Sequence, residues 1–318
     1  MNGSEPQIEI FKPFGEAFDL MKRILFQPFD LNKWCVIGFA AFLASLAGGA
    51  HFNFTGFDRK HDWRWSISSA RHNIIPTGGH LPGWVIPLAI VLVLFLIALV
   101  VVLLWLGARG RFMFVDCIVR NRGAIKEPWR EFRKEGNSFF GLSILVILLL
   151  LIVAAIGALP FFLPVILHGN AASYRTALIA GMISLVTLLV LLAFAWNLIS
   201  QLIVPVMYRK RCRAVVAFRD VIDLILNHPA PLILYFLFFI VLAIASVIVG
   251  CLVACLTCCI AAIPYVGTVI LLPLHVLVAG FTLFFLRQFG AEYDVWAGVA
   301  PTAPVPPLPP MAPPPVQT

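Results

Sequence analysis

Four cysteines, Cys251, Cys255, Cys258 and Cys259, recur at i, i+4, i+7 and i+8. On a helix this spacing puts four soft ligands on one face, which could hold a soft metal ion. The same stretch carries Ser246, Gly250, Ala254, Cys258 and Ala262 every four residues, with Val247, Cys251, Cys255 and Cys259 beside them. Small residues at that spacing let helices approach closely in lipid. Cysteine itself often acts as a small hydrophobe. Packing is the expected role here, and no metal or cofactor is assigned. A second constellation, Asn197, Gln201 and His275, lies in otherwise apolar sequence. It could line a polar pocket, or it could supply the interhelical hydrogen bonds that polar groups in lipid need. A third group is His51, Asp58, His61, Asp62, His72, His80 and His168, whose spacings match no ligand signature. A fourth is basic. Arg130, Arg133 and Lys134, with Arg209, Lys210, Arg211 and Arg213, are candidates for contact with lipid phosphates.

The elements that carry these residues are membrane spans. No Asp, Glu, Lys or Arg occurs in 34–50, 84–107, 139–167, 176–208 or 231–286. Hydrophobic residues form 61% of the chain and charged ones 12%. A soluble core needs neither such long apolar runs nor so few charges, and about 20 apolar residues cross a bilayer. Read this way, the chain is an all-α polytopic membrane bundle with six transmembrane helices. The spans fall at about 33–51, 83–107, 139–164, 177–204, 231–258 and 264–287. An external loop occupies 51–82, and a disordered Pro-rich cytoplasmic tail occupies 299–318. The start of the chain lacks the basic region and short apolar core of a signal peptide.

Basic residues set the orientation. Eighteen Lys and Arg fall on the side of the N-terminal arm, the loops 108–138 and 209–230, and the tail, against five on the other side. Both termini are therefore expected in the cytoplasm, with the protein in the cytoplasmic membrane. The net charge of +8 is a topology signal, and no nucleic-acid partner is expected.

Three segments share one plan, an amphipathic helix followed by a span. The apolar faces are Phe14, Ala17, Phe18, Met21, Ile24 and Leu25; then Ile125, Trp129 and Phe132; then Phe218, Val221, Ile222 and Ile225. Charged residues occupy the opposite faces at helical period. Arg130-Glu131 matches Arg219-Asp220, and Asp19 and Pro28 match Asp220 and Pro229. This predicts three pseudo-repeats, each with a cytoplasmic interfacial helix and two spans.

The opening, Pro13-Phe14-Gly15-Glu16-Ala17-Phe18-Asp19 through Gln27-Pro28-Phe29-Asp30-Leu31-Asn32-Lys33-Trp34, resembles the start of an uncharacterised bacterial membrane family. The close, Pro264-Tyr265-Val266-Gly267-Thr268 through Arg287-Gln288-Phe289-Gly290-Ala291-Glu292-Tyr293-Asp294, is similar to that family's end, with Ala291 where Pro is expected. More distantly, the plan resembles the membrane domain fused to some glycerophosphodiester phosphodiesterases. That resemblance implies work near lipids and supplies no catalytic residue.

No Walker loop, Gly-x-Ser-x-Gly or His-Glu-x-x-His occurs. The expected function is a non-catalytic lipid-associated or membrane-organising factor. Its expected partners are membrane lipids, and a protein could dock through the interfacial helices or the Pro-rich tail. The alternatives are a small-molecule or lipid transporter or flippase using Asn197, Gln201 and His275, and a metal-dependent headgroup enzyme using the external His and Asp residues.

Overall fold

The computed structural model describes residues 9–46, 84–168, 175–257 and 263–297. The external loop, Cys258, Cys259 and the Pro-rich tail lie outside them. The described residues form helices and no strand: α1 (Phe11–Leu25), α2 (Leu31–Leu46), α3 (Val85–Val119), α4 (Lys126–Glu131), α5 (Arg133–His168), α6 (Arg175–Lys210), α7 (Ala214–Asn227), α8 (Pro229–Leu256), α9 (Pro264–Ile270) and α10 (Leu272–Arg287).

Four helices, α3, α5, α6 and α8, are long and apolar enough to cross a membrane. Helix α3 has 35 residues, about 52 Å at 1.5 Å per residue. Its first half, with Ile86, Leu92, Phe95 and Val102, is exposed all round. So much exposed apolar surface is unstable in water and stable in lipid. Helices α2 and α10 are shorter, with 16 residues each.

The helix that carries the span expected at 83–107 is longer than that span. The helix runs on to Val119, and every residue from Gly107 to Val119 is buried. Burial is possible because α2 packs on this half. Lys33 Nζ donates to Asn121 Oδ1 at 2.7 Å, and Gly110 lies against Leu43 and Ala44. The two helices therefore run antiparallel, and the side chain that Gly110 lacks makes room for the α2 backbone. A Cβ there would fall 2.6 Å from the Ala44 nitrogen.

The amphipathic segments are helical, and part of each apolar face is covered by protein. Ala17, Met21, Ile24 and Leu25 of α1 are buried, with Ala17 against Gly280 of α10. Ala214, Ala217, Val221 and Leu224 of α7 are buried likewise. Helix α4 has only six residues. In space, α1 packs on α10, α4 on α3 and α7 on α6. Helices α3, α6 and α10 also touch one another.

Candidate functional site

The charged end of the bundle is built around Asp116, which is wholly buried on the second half of α3. Its carboxylate accepts from Tyr208 Oη at 2.9 Å and Arg122 Nη2 at 3.3 Å, and forms an ion pair with Arg120, whose Nε lies 3.1 Å away. A buried carboxylate is costly unless paired and hydrogen-bonded, and these three partners meet that need. Arg120 sits at i+4 from Asp116, where helical side chains meet.

Glu131, at the end of α4, is the second hub. It accepts from Arg120 Nη2 at 2.9 Å and also pairs with Arg211. Burial alone would raise its pKa, but the hydrogen bonds from Arg211 and Arg120 hold it below the usual carboxylate range. Arg120 responds in the opposite sense. Burial works against its charge, while Asp116 and Glu131 raise its pKa. The Arg211 guanidinium lies 3.9 Å from the Phe132 ring centroid, and that ring stacks on Tyr208 at 4.8 Å. The network thus ties together α3, α4 and the end of α6.

A second set of contacts closes the same end. Lys210 pairs with Asp220 at 2.9 Å and Glu292 at 3.2 Å, and Arg287 pairs with Asp294 at 3.3 Å. Glu9 N donates to Gln288 Oε1 at 2.8 Å, and Gln288 Nε2 returns to Glu9 O at 2.9 Å. Gly290, at φ +131°, takes a turn conformation that favours glycine.

Beside the network is a groove of about 380 Å³ lined by Lys134, Glu135, Ser138, Arg211, Cys212 and Arg213. Ser138 Oγ accepts from the Ala214 N–H at 2.9 Å, which caps the start of α7. Burial raises the Cys212 thiol pKa, with Asp220 adding to the effect, so this thiol is a poor nucleophile. Nearby, the Arg109 guanidinium sits 4.3 Å and 4.8 Å from the Trp105 and Trp129 ring centroids. Its Nη2 also donates to Asn137 Oδ1 at 2.9 Å.

The basic candidates therefore split. Lys210 and Arg211 are committed to internal acids, and Arg209 is half-buried. Arg130, Arg133, Lys134 and Arg213 are exposed, and the last two line the groove. The polar trio also divides. Gln201 lines a small cavity with Arg111, Pro205, Ala279 and Thr282. Asn197 sits one turn away on α6, and its carbonyl accepts from Ser200 Oγ. His275 is buried one turn before Ala279, with Nδ1 2.9 Å from Leu271 O. The described part of the cysteine ladder divides by burial. Ser246, Gly250 and Ala254 are buried, while Cys251 is half-buried and Cys255 exposed. Among the described residues no three His, Cys, Asp or Glu side chains meet in a metal-binding group.

Asp116, Tyr208 and Arg111 went unassigned in the sequence. The available signal was a single acid, Asp116, in the run 109–122, set four residues before Arg120.

A model of a family of unknown function, DUF7544, matches residues 9–299, so the chain belongs to that family. No curated protein and no solved structure matches it. Nothing in these comparisons supports a link to the glycerophosphodiester phosphodiesterases.

Proposed function

We propose that this member of a family of unknown function is a six-span, non-catalytic membrane-organising protein. It would hold anionic lipid at its charged end, on the cytoplasmic side of a bacterial inner membrane. The observation that carries this reading is the division of the basic residues. Asp116, Glu127, Glu131, Asp220 and Glu292 pair with Arg120, Arg122, Lys210 and Arg211, while Arg130, Arg133, Lys134 and Arg213 are exposed, the last two on the groove.

Chain direction supports the six crossings. The end of α3, the start of α5, the end of α6 and the start of α8 all gather at the charged end. In this reading α2 and α9–α10 supply the two remaining crossings. The pairing of Glu9 with Gln288 supports an even count, with both chain ends on one side. The order of the helices supports three pseudo-repeats. Each amphipathic helix, α1, α4 or α7, precedes an outgoing helix, α2, α5 or α8, and a returning one, α3, α6 or α9–α10. Each also packs on the returning helix of another unit. Exposed Phe11, Phe18 and Val215 leave α1 and α7 a surface for lipid or a protein partner.

The test compares binding to vesicles with and without phosphatidylglycerol, using the purified protein in nanodiscs. Neutralising Arg130, Arg133, Lys134 and Arg213 together to Gln removes four contacts worth roughly 1 kcal/mol each, and the preference for anionic vesicles is expected to vanish. An unchanged preference overturns the reading. The rival, a small-molecule or lipid transporter or flippase using Asn197, Gln201 and His275, has one observation in its favour, the cavity that Gln201 lines.

A further inference from the structure

Helix α1 packs on α10, and a groove of about 380 Å³ lies between them where α10 ends. Lys12, Pro13 and Glu16 of α1 line one side, and Phe284, Arg287 and Gln288 line the other, with Glu9 beside them. We propose that this groove holds the zwitterionic headgroup of one membrane lipid, a phosphodiester carrying a primary ammonium.

The balance of charge in the lining carries the proposal. Two cations, Lys12 and Arg287, and two anions, Glu9 and Glu16, line the groove. A site for a simple anion would carry an excess of positive charge. Lys12 and Glu16 stand at i and i+4 on α1, where opposite charges ordinarily meet. Yet among the described residues neither side chain makes an ion pair, with the other or with any neighbour. Both are therefore available to a ligand that carries both charges. Arg287 gives Nε to Asp294 at 3.3 Å, and a guanidinium has five N–H donors, more than one acid uses. Gln288 is committed instead, because its amide bonds the Glu9 backbone in both directions. That pairing holds the start of the chain against the end of α10.

Position names the source of the ligand. Helix α10 carries no Asp, Glu, Lys or Arg before Arg287, and α1 exposes Phe11 and Phe18 beside its charges. The groove therefore stands where apolar surface gives way to charged surface, the depth at which headgroups lie. The lining also selects among headgroups. A primary ammonium offers three donors to carboxylates, whereas a trimethylated one has no N–H and suits a cage of aromatic rings. Here the lining has a single aromatic residue, Phe284, already stacked on Trp296 at 4.6 Å. This site is separate from the groove of Lys134 and Arg213. It shares with the preceding reading only the placement of this end among headgroups.

The experiment exchanges the full chain in mixed micelles holding equal amounts of phosphatidylethanolamine, phosphatidylcholine and phosphatidylglycerol. Native mass spectrometry then reads the lipids retained by each chain. One phosphatidylethanolamine per chain is expected, in preference to phosphatidylcholine. Glu16→Gln and Lys12→Gln are each expected to lower that retention on the order of fivefold, the size of one exposed charge contact. Retention of phosphatidylglycerol and the unfolding temperature are expected to stay as in the wild type. Neutralising Arg130, Arg133, Lys134 and Arg213 is expected to leave the phosphatidylethanolamine bound, so failure of the anionic-lipid reading is distinguishable from failure here. Phosphatidylethanolamine retained no better than phosphatidylcholine, or equally by the wild type and both variants, overturns the proposal. Its displacement by water-soluble glycerophosphoethanolamine at equal concentration also overturns it, because the occupant would then be a soluble zwitterion.

Discussion

The two ends of this bundle obey different physics. At one end the first half of α3 is exposed on every side and carries only apolar residues between Val85 and Leu106. At the other end the same helix is buried throughout and carries Arg109, Arg111 and Asp116. The apolar end is specified by its solvent, because almost any large hydrophobe suits lipid. The charged end is specified by its partners: Asp116 fits three donors, and Gly110 fits the α2 backbone. Fold uniqueness is therefore concentrated at the charged end, while the apolar end supplies insertion.

Substitutions should separate the ends sharply. The largest effect is expected for Asp116→Ala. Removing one member of a buried pair costs about 3–5 kcal/mol. Arg120 and Arg122 are about a third exposed, so roughly 3 kcal/mol is the expected loss. Thermal unfolding in nanodiscs should show it as a clear drop in Tm, and Tyr208→Phe should lower Tm less. A Tm unchanged by Asp116→Ala would mean that the charged end is not what holds the helices. A smaller effect is expected for Gly110→Ala, which drives a methyl into the Ala44 backbone. Overpacking of this kind costs roughly 1–3 kcal/mol. The contrast is Gly141→Ala on α5, where nothing lies within 4 Å of the added Cβ, so Tm should stay level or rise. Equal Tm shifts for the two glycines would remove the claim that helix approach at Gly110 is tight.

The sequence makes the apolar end legible and the charged end only partly so. Charge-free runs mark α3, α5, α6 and α8, because lipid demands them whatever their neighbours are. The extension of α3 through Arg109–Val119 is hidden, since a run of arginines after an apolar stretch reads as a topology signal. Only the packing of α2 shows that these residues are buried. The amphipathic periods of α1 and α7 predict helices correctly. They do not reveal that Ala17 of α1 meets Gly280 of α10 or that Ala217 and Val221 of α7 are buried, because period alone does not name what covers a face. Gln201 is legible as a polar residue in an apolar helix, but Arg111, which lines the same cavity, is distant in sequence and looks like one more flanking charge.

The proposed orientation puts the charged end inside the cell and the far ends of the spans outside. The direct test is labelling of single cysteines, in a cysteine-free background, with a membrane-impermeant maleimide on intact spheroplasts. Glu127→Cys at the charged end and Trp84→Cys at the start of α3 are the two positions. The account expects rapid labelling at 84 and labelling at 127 only after permeabilisation. Labelling of both from outside, or of 127 alone, would contradict it.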